Sequence, residues 1–338
     1  MRNLLKNLAV LGVTLGLTLV VGELIARAVF SDITTTADNG SYLALRWKEA
    51  NVRLNRYGYR EREFATGKAP GAYRIAFIGD SYTFGQGIAE PERMSNLLES
   101  TLRQEAPNVE VLNFGNAGNN TADELVVLRR VIAELDPDFV VLQWFVNDVD
   151  YKAPAADGVP APPPPLSGVT RVRRWMRNTS VLYFLAGEVA HRIEERLQGT
   201  YETDVSSRIA DPGSIEWKAH EEALTAFIRA CRERNIGVAV LLVPSAVPTG
   251  HSPYPLSFLH ERVLEVCRRE RALCADLLPV FKPYMDDDTR YRSLWVNRFD
   301  PHMSAMANRL AMERLRGLVG PPILEGARHA ASLTGGLQ

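Results

Sequence analysis

The chain has 338 residues, 46% hydrophobic and 23% charged, which excludes disorder as a description of the whole and allows one large core with appendages. Thirty-nine basic against forty acidic residues give a formal net charge of −1, so no global field draws the chain onto nucleic acid. Three cysteines, Cys231, Cys267 and Cys274, are too few for a disulfide-stapled fold, and whether Cys267 and Cys274 pair is left open.

At the N-terminus Arg2 and Lys6 precede sixteen uncharged residues, Asn7 to Gly22, in the order of an export signal. A helix of that length spans roughly 24 Å, short of a hydrocarbon layer of about 30 Å unless Leu24 to Phe30 join it. If they do, residues 1–30 form a signal anchor in which Glu23 and Arg27, four apart, pair or snorkel at the far interface. The alternatives are a signal cleaved near Ala26 and Ala28, or a buried core helix. The basic residues before the segment favour a cytoplasmic N-terminus. The expected location is therefore the inner (cytoplasmic) membrane, single-pass with the following domain outside the cytoplasm, or a secreted or periplasmic protein after cleavage.

Residues 31–70 are polar, with turn signals at Asn39-Gly40, Tyr57-Gly58 and Pro70-Gly71, and read as a linker. From Arg74 short apolar runs alternate with helical patterns. The runs are Ile75–Ile78, Val109–Phe114, Phe139–Val146, Val238–Val243 and a weaker Leu273–Leu277. Helices are expected near Glu92–Gln104, Ala122–Leu135, Glu216–Arg234, Pro255–Arg271 and Ala305–Leu318. The economical fold class is α/β: a three-layer α/β/α sandwich around a five-stranded parallel sheet, preceded by an N-terminal hydrophobic helix. The domain is expected over 71–320, with a tail at 321–338. Residues 151–215 break the alternation with the proline run Ala161–Pro165, four arginines within Arg171–Arg177 and an amphipathic stretch Val181–Leu197. The arginines read either as a solvated face or as a contact with anionic lipid or acidic glycan. Asp286-Asp287-Asp288 reads as a solvated turn, because its spacing fits no calcium loop.

Phosphate loops, Gly-x-Gly-x-x-Gly after a strand, His-Glu-x-x-His and Cys-x-x-Cys are all missing from the sequence, so nucleotide and zinc-hydrolase readings lose support. What remains sits at strand ends. Ser81 follows the first strand in Gly79-Asp80-Ser81-Tyr82-Thr83-Phe84-Gly85, where parallel sheets place their ligands. The second strand leads into Gly115-Asn116-Ala117-Gly118-Asn119-Asn120-Thr121, a loop able to turn backbone N–H groups inward, with Thr121 as the expected helix N-cap. The third ends at Asn147-Asp148, and an Asn amide suits an oxyanion without adding a titrating charge. Phe299-Asp300-Pro301-His302, read as a loop, supplies the one histidine with an acid two residues before it at this edge. His191 and His220 lie in helical runs, His251 and His260 flank a Pro-rich loop, and His329 is in the tail, so their claims are weaker. Each feature taken singly has an ordinary structural explanation. The inference lies in their conjunction.

These residues resemble the SGNH, or GDSL-type, hydrolase family, in four blocks in order over roughly residues 72 to 318. The blocks match at Gly79-Asp80-Ser81, at Gly118 five residues after Asn113, at Asn147-Asp148 and at His302. Two departures stand out: Phe145 occupies a position where Gly is common, and the acid precedes His302 by two residues where three is common. The Asp-x-His form resembles that of polysaccharide O-acetyltransferases built on the same flavodoxin-like fold. The resemblance implies acyl transfer without metal or cofactor, with catalytic Ser81, His302 and Asp300 and an oxyanion hole from Ser81, Gly118 and Asn147. The substrate it implies is an acyl ester of an extracytoplasmic glycan or lipid. Three functions follow as expectations: an esterase, an O-acyltransferase modifying exported polysaccharide, or a non-catalytic glycan-binding module. Oligomeric state is not legible.

Overall fold

The computed structural model describes residues 1–150, 167–247, 253–287 and 289–335. The proline run, His251 and Asp288 therefore lie outside the described residues. Two compact units divide the chain: Met1–Ala50 with Ala155–Thr200, and Asn51–Pro154 with Tyr201–Gln338.

The larger unit is built on five strands, β1 (Tyr73–Gly79), β2 (Val109–Gly115), β3 (Phe139–Trp144), β4 (Gly237–Leu242) and β5 (Leu273–Asp276). All four pairings are parallel, in the order β2-β1-β3-β4-β5. β1 and β3 are buried along their whole length, as expected where helices cover both faces of a parallel sheet. On one side pack α5 (Thr121–Leu135), α9 (Ile215–Arg232) and α10 (Ser257–Glu270), with the short α8 (Tyr201–Ile209) against α9. The other helical layer contains α4 (Met94–Leu102), α11 (Leu278–Met285) and α12 (Ala305–Gly335). The sandwich expected from the alternation is thus the observed fold.

The differences have local causes. α5 is capped by Asn120, not Thr121: Asn120 Oδ1 accepts from Asp123 N at 3.0 Å, and Thr121 becomes the first helical residue. His329, expected in the tail, lies in α12, whereas His260 lies buried in the helix expected over Pro255–Arg271. The last helix continues beyond Leu318 through Pro321 and Pro322 to Gly335. Two prolines in a helix interior each cost about 3 kcal/mol, so the local helical pattern in the sequence stops short of them. Val319, Ile323, Leu324 and Ala327, at helical spacing, are buried and offset that cost. Residues 51–70 join the larger unit, where Arg60 is 1% exposed. Asp287 Oδ1 accepts from Thr289 and Arg290 N–H in the surface turn expected there. The three cysteines are free thiols.

The smaller unit contains α1 (Arg2–Val29), α2 (Tyr42–Asn51), α6 (Gly168–Thr179) and α7 (Val181–Gln198). α1 runs unbroken through Val29, and its most apolar window has a mean hydropathy of 2.2 with none of it buried. Glu23 and Arg27 do pair, Nε to Oε1 at 2.7 Å, but they also bind protein. The Glu23 carboxylate accepts from Ser180 Oγ and from the backbone N–H groups of Val181 and Leu182, at 2.8–3.1 Å, capping the start of α7. Arg27 Nη2 donates to Thr179 O at 2.7 Å.

In the larger unit, Gly79 and Gly115 are register partners at the ends of β1 and β2, and over them lies the short helix α3 (Ser81–Phe84). A Cβ on Gly115 would stand 2.2 Å from the backbone nitrogen of Phe84, and one on Gly79 would stand 2.2 Å from Thr83 Oγ1. Backbone on the Gly115 side cannot rotate away. Gly115→Ala is therefore expected to cost about 1–3 kcal/mol through overpacking, seen as a lower midpoint in thermal denaturation. An unchanged midpoint would show that α3 yields freely.

Candidate active site

α3 begins where β1 ends. Asp80 is its N-cap, with Oδ1 accepting from Tyr82 N at 2.9 Å, and Gly85 closes it in the left-handed region at φ 76°. Ser81 is the first residue of this helix, which puts its side chain at the sheet's carboxyl edge. The turn is held from several sides. Asn113 Nδ2 donates to Thr83 O and to Ser95 Oγ, both at 2.8 Å, while its Oδ1 accepts from Gly115 N at 3.0 Å. Thr83 Oγ1 donates to Gln143 Oε1 at 2.9 Å, tying α3 to β3. Arg60 donates to the carbonyls of Gly85 at 2.7 Å and Ile88 at 2.9 Å, answering acceptors left open at the helix end.

His302 approaches Ser81 from a two-stranded ribbon, β6 (Trp295–Asn297) antiparallel to β7 (Asp300–Met303), not from the loop expected for this segment. On a strand residues two apart share a face, so Asp300 and His302 lie side by side. Asp300 Oδ1 stands 2.5 Å from His302 Nδ1 and also accepts from His302 N at 3.1 Å. His302 Nε2 stands 2.8 Å from Ser81 Oγ. A carboxylate only accepts, so Nδ1 carries the proton and Nε2 is the acceptor facing the serine hydroxyl. Asp300 is fully buried and His302 is largely so. Tyr82 buttresses the ribbon: its ring lies 4.9 Å from that of His302, and its hydroxyl donates to Pro301 O at 3.2 Å. Phe145, where the common motif has Gly, lies 4.3 Å from the Tyr82 ring and packs against it.

The other two expected residues flank Ser81 through the strand order. Gly118 follows β2 and Asn147 follows β3, the two neighbours of β1. Gly118 has φ 86°, a conformation that favours glycine and that lets the Asn116–Asn119 turn close, with Asn119 N donating to Asn116 O at 3.2 Å. Asn147, on a 3₁₀ turn Val146–Val149, lies near Asp80 and helps favour its charged form, while its own Oδ1 is buried without a hydrogen-bond partner. The structure thus joins Ser81, His302 and Asp300 by direct contacts. It sets Asn147 beside the residue preceding Ser81, and brings Gly118 to the same edge through topology.

Sequence reasoning gave no bracing role to Asn113, Gly115, Tyr82 or Arg60. Asn113 and Gly115 did carry a signal, a polar residue and a glycine inside an apolar run at the end of a buried strand. It also missed a buried aromatic and histidine group. Trp144 Nε1 donates to His220 Nε2 at 3.2 Å, and burial lowers the His220 pKa to about 4, so the ring is neutral. His260, edge-on to Trp144, places Nδ1 2.9 Å from Asp276 Oδ1. Among the described residues no cluster of His, Cys, Asp and Glu is arranged to hold a metal ion.

The fold and this edge define an α/β enzyme of the acylhydrolase type. Residues 77–310 match the model of the GDSL-like Lipase/Acylhydrolase family, and the chain belongs to that family and is an ester hydrolase. Similar solved structures include an acetyl xylan esterase, AlAXEase, at 17% identity and TM-score 0.46, covering 72% of this chain and 98% of that one. The acetyl xylan esterase Axe2-W215I of Geobacillus stearothermophilus is similar at 15% identity and TM-score 0.45, covering 74% and 95%. TesA is similar at 16% identity and TM-score 0.44, covering 73% and 98%. No curated protein matches the sequence significantly.

Asp148, next to Asn147, is fully buried, and burial together with the charge of Asp80 holds its carboxyl well above the usual carboxylate range. A raised folded pKa favours the protonated form. Its contribution to stability is complete below the unfolded value near pH 4 and is lost as pH rises through the folded value. Asp148→Asn, neutral and of the same shape, should match the parent's melting temperature at acid pH and exceed it increasingly toward alkaline pH. A constant difference across the range would show that Asp148 is not held protonated.

Proposed function

We propose that the chain is a serine esterase that cleaves a carboxylic ester, acyl or acetyl, of an extracytoplasmic glycan or lipid through an acyl-enzyme on Ser81. The observation that carries this reading is the hydrogen-bonded series Ser81 Oγ–His302 Nε2 and His302 Nδ1–Asp300 Oδ1 at the sheet's edge. Ser81 attacks the ester carbonyl while His302 takes the hydroxyl proton at Nε2, and Asp300 holds the tautomer and stabilises the imidazolium. The carbonyl oxygen of the tetrahedral intermediate becomes an oxyanion, held by the backbone N–H groups of Ser81 and Gly118 and the Asn147 amide. Collapse expels the alcohol, which receives the proton from His302. Water then attacks the acyl carbonyl as His302 takes its proton, and collapse of the second tetrahedral intermediate releases the acid while His302 returns that proton to Ser81 Oγ. No metal or organic cofactor enters these steps.

The proposed setting is the outer side of a cytoplasmic membrane, with α1 retained as an anchor. Its support is α1 itself, a helix of 28 residues and about 42 Å whose most apolar window has a mean hydropathy of 2.2 and is unburied, together with the capping of α7 by Glu23. Cleavage near Ala28 would remove that cap. A second reading, an O-acyltransferase modifying exported polysaccharide, is favoured by the Asp300-x-His302 spacing. The two share the first half-reaction and differ in whether water or a sugar hydroxyl receives the acyl group.

A panel of chromogenic esters from acetyl to long chain, offered to the full chain, tests the esterase. Ser81→Ala should abolish turnover and labelling by a fluorophosphonate, and activity surviving that change would refute the role of Ser81. Asn147→Ala should lower kcat by roughly 10²–10³ with little effect on stability, and an unchanged kcat would remove Asn147 from the mechanism. Acyl transfer to added oligosaccharide in preference to water would select the transferase reading.

A further inference from the structure

We propose that α6 is a membrane-docking helix that lies along an anionic bilayer surface, with Val169, Val172, Trp175 and Met176 entering the lipid and its arginines meeting the headgroup phosphates. The inference rests on the reading of α1 as an anchor and gives the smaller unit a second attachment. At 100° per residue those four apolar side chains fall within an arc of about 120°, and Arg171, Arg173, Arg174 and Arg177 fill the opposite side. A helix serving only the protein's own fold would bury that apolar arc. Here Val169, Val172 and Trp175 are 65%, 56% and 66% exposed. Residues 167–179 carry four arginines and no acid. Arg177 pairs with Asp38 at 3.3 Å, and among the described residues no carboxylate pairs with the other three. A basic face opposite an exposed Trp/Val face is the chemistry of an interfacial helix at anionic lipid.

The position of α6 relative to α1 supplies an independent argument, since both belong to one compact unit. Charged and hydrogen-bonding groups are costly in hydrocarbon, so the Glu23–Arg27–Ser180 cluster marks the level at which the apolar part of α1 meets water. α6 ends at that level, because the carbonyl of its last residue, Thr179, accepts from Arg27. The amphipathic helix is thus tethered at the interface that its two faces suit. A basic helix remote from α1 could equally bind a soluble polyanion. This one is held at the boundary of the membrane segment.

Trp175 is a native reporter. The other four tryptophans, Trp47, Trp144, Trp217 and Trp295, are 1–6% exposed, so subtracting the emission of Trp175→Phe isolates it. The full chain is placed in nanodiscs of phosphatidylcholine, with or without phosphatidylglycerol. With phosphatidylglycerol, acrylamide quenching of the Trp175 component should fall roughly twofold or more, and bromine-labelled lipid should quench it. Arg171→Gln, Arg173→Gln and Arg174→Gln combined should restore the phosphatidylcholine value. Equal acrylamide quenching in both discs without bromine quenching would overturn the proposal, as would protection by a soluble acidic polysaccharide but not by phosphatidylglycerol. Alkaline extraction reads α1 separately. A chain that resists extraction while Trp175 stays accessible leaves the anchor standing and removes α6, whereas an extractable chain removes the anchor itself.

Discussion

The larger unit depends on one close approach, that of the Ser81 turn to the ends of β1 and β2. Two glycines in register leave no side chain between α3 and the sheet, so the backbone of Phe84 rests directly on Gly115. Everything polar about the turn follows from that contact. With no room for water, its carbonyls are answered by Asn113 and Arg60, and its threonine hydroxyl by Gln143. A serine held from so many directions has little freedom to leave the imidazole, and this pre-organisation is what acyl transfer from a serine requires.

The sheet was readable because its strands are buried on both faces and so appear as β-branched and aromatic runs with turn residues between them. Ser81, Gly118 and Asn147 were readable for a related reason: each follows a strand, and parallel strands deliver their carboxyl ends to one edge. The bracing residues were harder to see. Asn113 ties the turn through hydrogen bonds to Thr83 and Ser95, both distant in sequence, and Arg60 comes from a stretch without periodicity, so neither leaves a local pattern. Thr121 reads as a cap in the sequence because Asn120 and Thr121 are both good capping residues, and only backbone geometry separates them. The extension of α12 through two prolines shows tertiary burial overriding local propensity, and the ribbon carrying His302 is too short to announce itself by alternation.

Polar groups have different tasks in the two units. In the larger one, buried Asp80, Asp148 and His220 sit where burial pushes each toward its neutral form, and the surrounding donors decide which remains charged. In the smaller one, Glu23 is a helix cap supplied by another helix. It holds the start of α7 through two backbone N–H groups and the Ser180 hydroxyl, which ties an apolar segment to folded protein. Such a residue belongs to the architecture as much as to any export signal.

The ribbon that carries the acid and the imidazole has an evolutionary corollary. Alternation along an extended chain means that one inserted residue between Asp300 and His302 would swing the ring to the reverse side, away from the serine. A spacing of three therefore cannot arise here by a single insertion that leaves the strand intact. It needs a different backbone path at the same place.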